Sequence, residues 1–247
     1  VALLAADLKA SHAAATVARL ILNENPLTGG RRSTDFDTDI TGITALCDTL
    51  KTSSVTELGL AKCRLGPGSL GKLAEYVRDA EAALNSLTLD SNSIFGIIPR
   101  HEGDSSAKPD NFVADCDAFF ATLKESNILT LSLQNTGIGP VTLQKLATSL
   151  PAALNSLKCA NNLGMVGELE YGSRLKTPDA HAEVFKQLTD NLKTSQVTEV
   201  DFSSCGIGPV ALGHLSEWVR DAEAASVEVV ILDGNPIGYP SSAMLKP

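Results

Sequence analysis

Few residues in this chain have the types and spacing that chemistry needs. Gly66-Pro67-Gly68-Ser69-Leu70-Gly71 fits G-x-G-x-x-G after an apolar strand pattern and before a helical one, the setting that cradles a pyrophosphate. The equivalent segment Gly208-Pro209-Val210-Ala211-Leu212-Gly213 lacks the middle glycine that a pyrophosphate needs for close backbone approach. Both are read as turns. Asp35-Phe36-Asp37-Thr38-Asp39 has the alternating carboxylates that open a calcium loop. Ile40 stands where such a loop turns on glycine, and Leu46 where it needs a bidentate glutamate. These acids are read as helix-start residues. His12, His101, His181 and His214 share no ligand spacing with a third donor. His101-Glu102-Gly103-Asp104 is a local acid-base cluster and reads as a solvated loop. Cys47, Cys63, Cys116, Cys159 and Cys205 include no C-x-x-C pair, the spacing expected of a zinc site. No nucleophile elbow is present. The expectation is a protein that is not an enzyme and has no cofactor or metal.

What positions these residues is a repeat. Val55–Ala83 and Val197–Ala225 are identical at 17 of 29 positions, which is self-similarity at long range. The underlying unit is L-x-x-L-x-L-x-x-(N/C/T)-x-(L/I)-(G). It occurs seven times, on Leu20/Leu22/Asn25, Leu58/Leu60/Cys63, Leu87/Leu89/Asn92, Leu131/Leu133/Thr136, Leu157/Cys159/Asn162, Val200/Phe202/Cys205 and Val230/Leu232/Asn235. In L-x-L the two apolar residues share one face of a short strand. Between strands, apolar stripes at helical spacing recur: Ile43/Leu46/Leu50, Leu70/Leu73/Val77, Cys116/Phe119/Leu123, Phe185/Leu188/Leu192 and Leu212/Leu215/Val219. Strand, helix and parallel strand in succession can bury their faces only by stacking.

This pattern resembles the leucine-rich repeat family. The long repeats, with an amphipathic helix after each strand, are similar to its ribonuclease-inhibitor-like branch. The resemblance implies an α/β leucine-rich repeat solenoid, a horseshoe segment with parallel strands on the concave face and helices on the convex face. Residues 1–247 would form one domain of about seven repeats, with both ends cut mid-repeat and the chain a segment or subunit of a larger assembly. It also implies that the Asn, Cys or Thr after each strand bonds neighbouring backbone. Cys63, Cys159 and Cys205 are then buried thiols. Tyr76 and Trp218, equivalent in their repeats, are expected to pack at the rim.

Successive strand centres lie 38, 29, 44, 26, 43 and 30 residues apart, so long and short repeats alternate. Repeats with Asn25, Asn92 and Asn162 carry insertions at Pro26–Thr38, Phe95–Asn111 and Gly164–Pro178; those with Cys63, Thr136 and Cys205 run directly through Leu/Ile-Gly-Pro into a helix. Pro109-Asp110 and Pro178-Asp179 read as starts of the helices that follow them. The insertions should share one rim. They hold Arg31, Arg32, Phe95, Ile97, Ile98, Arg100, His101, Tyr171, Arg174 and Lys176. The apolar group Phe95, Ile97 and Ile98 is expected to pack on a neighbouring insertion or on a partner.

Net charge −9 and a pI of about 4.9 argue against a nucleic-acid partner. No apolar run approaches the ~20 residues of a membrane span. The scattered cysteines and the lack of any N-x-S/T sequon suit an intracellular, reducing compartment. The expected function is protein–protein interaction or scaffolding through the rim loops or the convex helices, with Phe95, Ile97, Ile98, Arg100, His101, Tyr171 and Arg174 as rim contacts. The alternative is a concave-face inhibitor or regulator of an enzyme, using Asp90, Gln134, Lys158, Asp201 and Asp233. Ran-type GTPase-activating proteins use the same repeat, but no catalytic motif of theirs is matched here.

Overall fold

The computed structural model describes residues 2–10, 16–30, 35–80, 83–101, 104–171, 173–222 and 226–238. Seven three-residue strands form one parallel sheet in chain order: β1 (Arg19–Ile21), β2 (Glu57–Gly59), β3 (Ser86–Thr88), β4 (Thr130–Ser132), β5 (Ser156–Lys158), β8 (Glu199–Asp201) and β9 (Val229–Ile231); β6 (Glu168–Glu170) and β7 (Arg174–Thr177) pair separately. Leu20, Leu58, Leu87, Leu131, Leu157, Val200 and Val230 lie in one row across it. A second row, Leu60, Leu89, Leu133, Cys159 and Phe202, is fully buried. The L-x-L alternation therefore decides which face of each strand is dry.

The helices α1 (Ala2–Ala10), α2 (Thr41–Leu50), α3 (Pro67–Asp79), α4 (Asp117–Glu125), α5 (Pro140–Ala147), α6 (Ala182–Leu192) and α7 (Pro209–Asp221) cover that dry face. Their stripes Ile43/Leu46/Leu50 and Phe185/Leu188/Leu192 interlock with the two strand rows in one core. Phe185 meets Phe202 edge-on at 5.4 Å. On α3 and α7 the stripe differs from the expectation. Tyr76 and Trp218 are completely buried rather than at the rim, and Val219 is 48% exposed. Positions three and four after Leu73 or Leu215 both border the stripe, and the larger aromatic removes more apolar area from water. Among the described residues no helix is long and apolar enough to cross a membrane.

Two devices join neighbouring repeats, and they alternate. After β3, β5 and β9, a bend asparagine reaches back to the preceding repeat. The Asn92 amide donates to Leu60 and Leu89 carbonyls at 2.8 Å, and its oxygen accepts from Cys63 N and Leu65 N. Asn162 and Asn235 do the same one and two repeat pairs later. At the intervening positions Cys63 and Cys205 donate weaker thiol bonds to Leu22 and Cys159 carbonyls. All five cysteines are buried and unpaired.

The second device is an aspartate. Asp110 accepts from Gly139 N, Val141 N and Thr142 N at 2.7–3.0 Å, and Asp179 from Gly208 N, Val210 N and Ala211 N at 2.7–3.1 Å. Asp37 accepts from Gly66 N and Ser69 N. This corrects the expectation that these acids start their own helices: each caps the helix of the next repeat. Asp39 does serve its own helix, accepting from Thr41 N at 2.9 Å. The Gly-Pro motif follows from the close fit, because a Cβ on Gly139 would lie 2.5 Å from the Asp110 carboxylate. In the G-x-G-x-x-G segment, the helix end is thus filled by Asp37 from within the chain.

Candidate functional site

The insertions are structured. Ile97 and Lys108 exchange backbone hydrogen bonds of 2.9 Å as an antiparallel bridge. In the third insertion β6 (Glu168–Glu170) and β7 (Arg174–Thr177) form an antiparallel hairpin. Each is seated glycine to glycine on the following repeat: a Cβ on Gly137 would lie 2.5 Å from Gly96 N, and one on Gly206 would lie 2.7 Å from Gly167 N. Gly137 and Gly206 also have φ of 81° and 77°, which favours glycine independently. For the first insertion the equivalent seat on the following repeat is Arg64, whose carbonyl accepts from the Thr28 hydroxyl at 2.6 Å. Arg31 and Arg32 lie outside the described residues.

The outer tip of the second insertion is organised by Asp104. Its carboxylate accepts from Arg100 N, from the Arg100 guanidinium at 2.9 Å, and from the Ser106 amide and hydroxyl. The carboxylate is 3% exposed, and the Arg100 guanidinium, with Ser106, holds it well below the usual carboxylate range. Asp104 is therefore a structural ion of the loop, and half of the acid-base cluster noted in the sequence.

Immediately after each strand the chain turns through a residue in the left-handed region. Glu24, Lys62, Ser91, Asn135, Asn161, Ser204 and Gly234 occupy this place, with φ from 51° to 69°. Seven turned residues in a row make a ledge along one edge of the open sheet face. The two hairpins overhang it. Between ledge and hairpins runs a cavity of about 700 Å³, from Asn23 in the first repeat to Gly234 in the last. Pro99, Arg100 and His101 of one hairpin line it, with Leu163 just before the third insertion and Ser173 within it. Asp90 and Gln134 form part of its floor. Residues read from sequence as belonging to two alternative surfaces, Arg100 and His101 on the rim and Asp90 and Gln134 on the sheet, thus share one groove.

The remaining expected contacts fall elsewhere. Phe95 is a correction: it is completely buried, stacked on Phe120 at 5.6 Å and close to Phe119, so it anchors its insertion to the core and meets no partner. Ile97 and Ile98 are partly covered, and Ile97 lines a smaller cavity beneath the groove. Tyr171 is 72% exposed at the hairpin tip, and Arg174 faces Glu170 at 3.7 Å, both away from the groove lining. Lys158 pairs with Glu199 at 3.1 Å, Asp201 accepts from Ser203 N at 3.0 Å, and Asp233 is exposed; none lines the groove.

No protein-family model matches the chain, and no curated protein matches it. Among the described residues no group of three or more His, Cys, Asp or Glu could hold a metal ion. What the groove offers is hydrogen-bonding capacity. Asn23, Gln134, Asn135 and Asn161 present amides, and Ser91, Ser173 and Ser204 hydroxyls. The Ser173 hydroxyl is buried and has no hydrogen-bond partner among the described residues. The reading from sequence missed Lys62, Asn135, Asn161 and Ser173. Their signal was available: the first three all sit two residues after the second apolar position of L-x-L, where Asn is, after glycine, the residue that best tolerates a left-handed turn.

Proposed function

We propose that this chain is a leucine-rich repeat solenoid of the ribonuclease-inhibitor-like type, and that it is a non-enzymatic module holding a protein partner in the groove between ledge and hairpins. One observation carries the reading: polar residues from the insertions and the sheet face converge on a single elongated cavity rather than on separate patches. Its lining is amide, hydroxyl and charge. Such a lining offers directed hydrogen bonds to another chain, and precise polar placement is what makes a binding surface selective. The helical face is a weaker candidate, since many of its charges are paired among themselves. Lys51 meets Asp48 and Asp79, and Lys193 meets Asp190 and Asp221.

The test is competitive capture with the purified chain. An Asn135→Arg/Asn161→Arg variant, which fills the groove without touching the core, should lose a partner retained by the unmodified chain. Lys124→Glu on the outer side of α4 should keep it. Loss on the helix variant alone would move the interface to the helices. Acceleration of GTP hydrolysis by a candidate GTPase would replace the non-enzymatic reading with the GTPase-activating one.

A further inference from the structure

We infer that the groove takes an extended peptide segment of about nine residues, with a lysine or arginine side chain of that segment seated on Asp90. This rests on the reading of the chain as an interaction module and names the chemistry of its partner. The length follows from the ledge. Seven strands span six steps of ~4.8 Å, about 29 Å, and an extended chain rises ~3.3 Å per residue.

The cation follows from Asp90. Its Oδ1 accepts from the Ser132 hydroxyl at 2.7 Å and from Gln134 N at 2.9 Å. Among the described residues nothing donates to Oδ2. The cations around it are committed: Lys62 to Glu24 at 2.8 Å, Arg100 to Asp104 at 2.9 Å and Lys158 to Glu199 at 3.1 Å. Asp90 is thus an acid of the groove floor with an idle oxygen and no ion pair. A half-buried carboxylate in this position gains most from a charged donor brought by a ligand. Burial already pushes its carboxyl above the usual range, against the pull of the Ser132 and Gln134 bonds.

The peptide follows from the rest of the lining. The Asn161 side chain is exposed and makes no hydrogen bond to the described residues, and the Asn135 amide oxygen accepts none. A primary amide can donate and accept at once, which matches a peptide group facing it. The orphaned Ser173 hydroxyl adds one more donor or acceptor from above. No Phe, Tyr or Trp lines the groove, so a sugar or nucleobase ring finds only the small His101 imidazole to stack on.

The experiment is selection of a positional decapeptide library on the purified chain, followed by affinity measurement of the selected peptide. The expected result is enrichment of peptides with one Lys or Arg at a fixed position. Asp90→Asn should weaken the selected peptide about 10- to 100-fold, the range expected for losing a charge-assisted bond. The amide oxygen still accepts from Ser132 and Gln134, so this variant keeps the floor intact. Asn161→Ala should weaken lysine-bearing and lysine-free peptides alike. Enrichment of acidic or neutral peptides, or unchanged affinity on Asp90→Asn, overturns the inference. So does retention of glycans or RNA in place of peptides. If no decapeptide is selected while a protein partner is still lost on Asn135→Arg/Asn161→Arg, the extended peptide is wrong and the module reading stands. If that partner survives the groove variant, the module reading itself fails.

Discussion

Asp90 lines the groove and Asp104 holds the Arg100 that lines it, and their surroundings push the two acids in opposite directions. Asp104 is held below the usual carboxylate range by Arg100 first and Ser106 next. Its contribution to the order of the hairpin is therefore present above pH ~4 and is lost as pH falls below that. Asp104→Asn should speed amide exchange across Ile97–Lys108 at neutral pH, with the rest of the chain unchanged. Asp90 is raised, chiefly by burial. Its folded form favours the neutral acid, so its contribution is present at low pH and lost as pH rises through the raised value. Asp90→Asn should melt at the same temperature as the unmodified chain or higher at pH 7; a drop of several degrees would mean that the charge serves the fold. The thiols behave alike. Burial pushes Cys47, Cys116 and Cys205 up to about 12 and Cys63 to about 11. A thiol reagent at pH 7.5 should label all five only on the timescale of unfolding, because the thiolate is the reactive form.

Single elements depend on residues supplied by their neighbours. Asp179 satisfies three N–H groups at the start of α7 that would otherwise have no partner. Asp179→Ala should cost about 1–2 kcal/mol in thermal or urea unfolding. Asp110→Ala should cost as much, and the two losses should add, since the caps share no partner. Strands and helices were legible because L-x-L and the helical stripes repeat in phase, so each copy corroborates the others. The hairpins were not. Glu168-Leu169-Glu170 and Arg174-Leu175-Lys176 alternate with a strand period, but each run is too short to outweigh the polar loop reading. Phe95 failed for a related reason. An apolar group inside an insertion reads as exposed until the helix beneath it, with Phe119 and Phe120, is known to turn toward it. The destination of Asp110 was illegible too, because its partners lie about thirty residues away and a local rule assigns it to the nearest helix.

Within the seven-stranded sheet each strand touches only the strand before and the strand after it in that sheet, β5 meeting β8 past the β6–β7 hairpin. Energetics should be correspondingly local. Leu58→Ala removes a fully buried side chain from the second strand and should cost about 2–5 kcal/mol. Hydrogen exchange should rise from β1 to β3 and barely change in β8 and β9. The groove is the exception, since it gathers residues from every repeat, and Arg100, His101, Asp90 and Gln134 of its lining were visible in sequence only as two unrelated sets. Replacing Ile98–Ala107 with a short Gly-Ser turn should leave the sheet folded, because loop length enters stability only logarithmically. Phe95 and Gly96 must stay, as they hold the insertion to the core. The shortened chain should lose partner binding, read by the same capture assay.

The two joining devices have a consequence for inheritance. Asparagine stitches join β2 to β3, β4 to β5 and β8 to β9, while aspartate caps tie the insertion after β1, β3 or β5 to the helix that follows the next strand. Each device needs its donor in one repeat and its acceptor in the adjacent one, so each kind of repeat is fitted to a neighbour of the other kind. Two direct-type repeats in tandem would leave a helix start uncapped. Two insertion-type repeats in tandem would leave an insertion without the left-handed seat that Arg64, Gly137 and Gly206 provide. Unequal recombination could lengthen or shorten such a gene only by an even number of strands, about 70 residues at a time, as from Leu58 to Leu131 and from Leu131 to Val200. Excising one such pair should yield a shorter protein that folds, whereas excising a single repeat should yield one that does not.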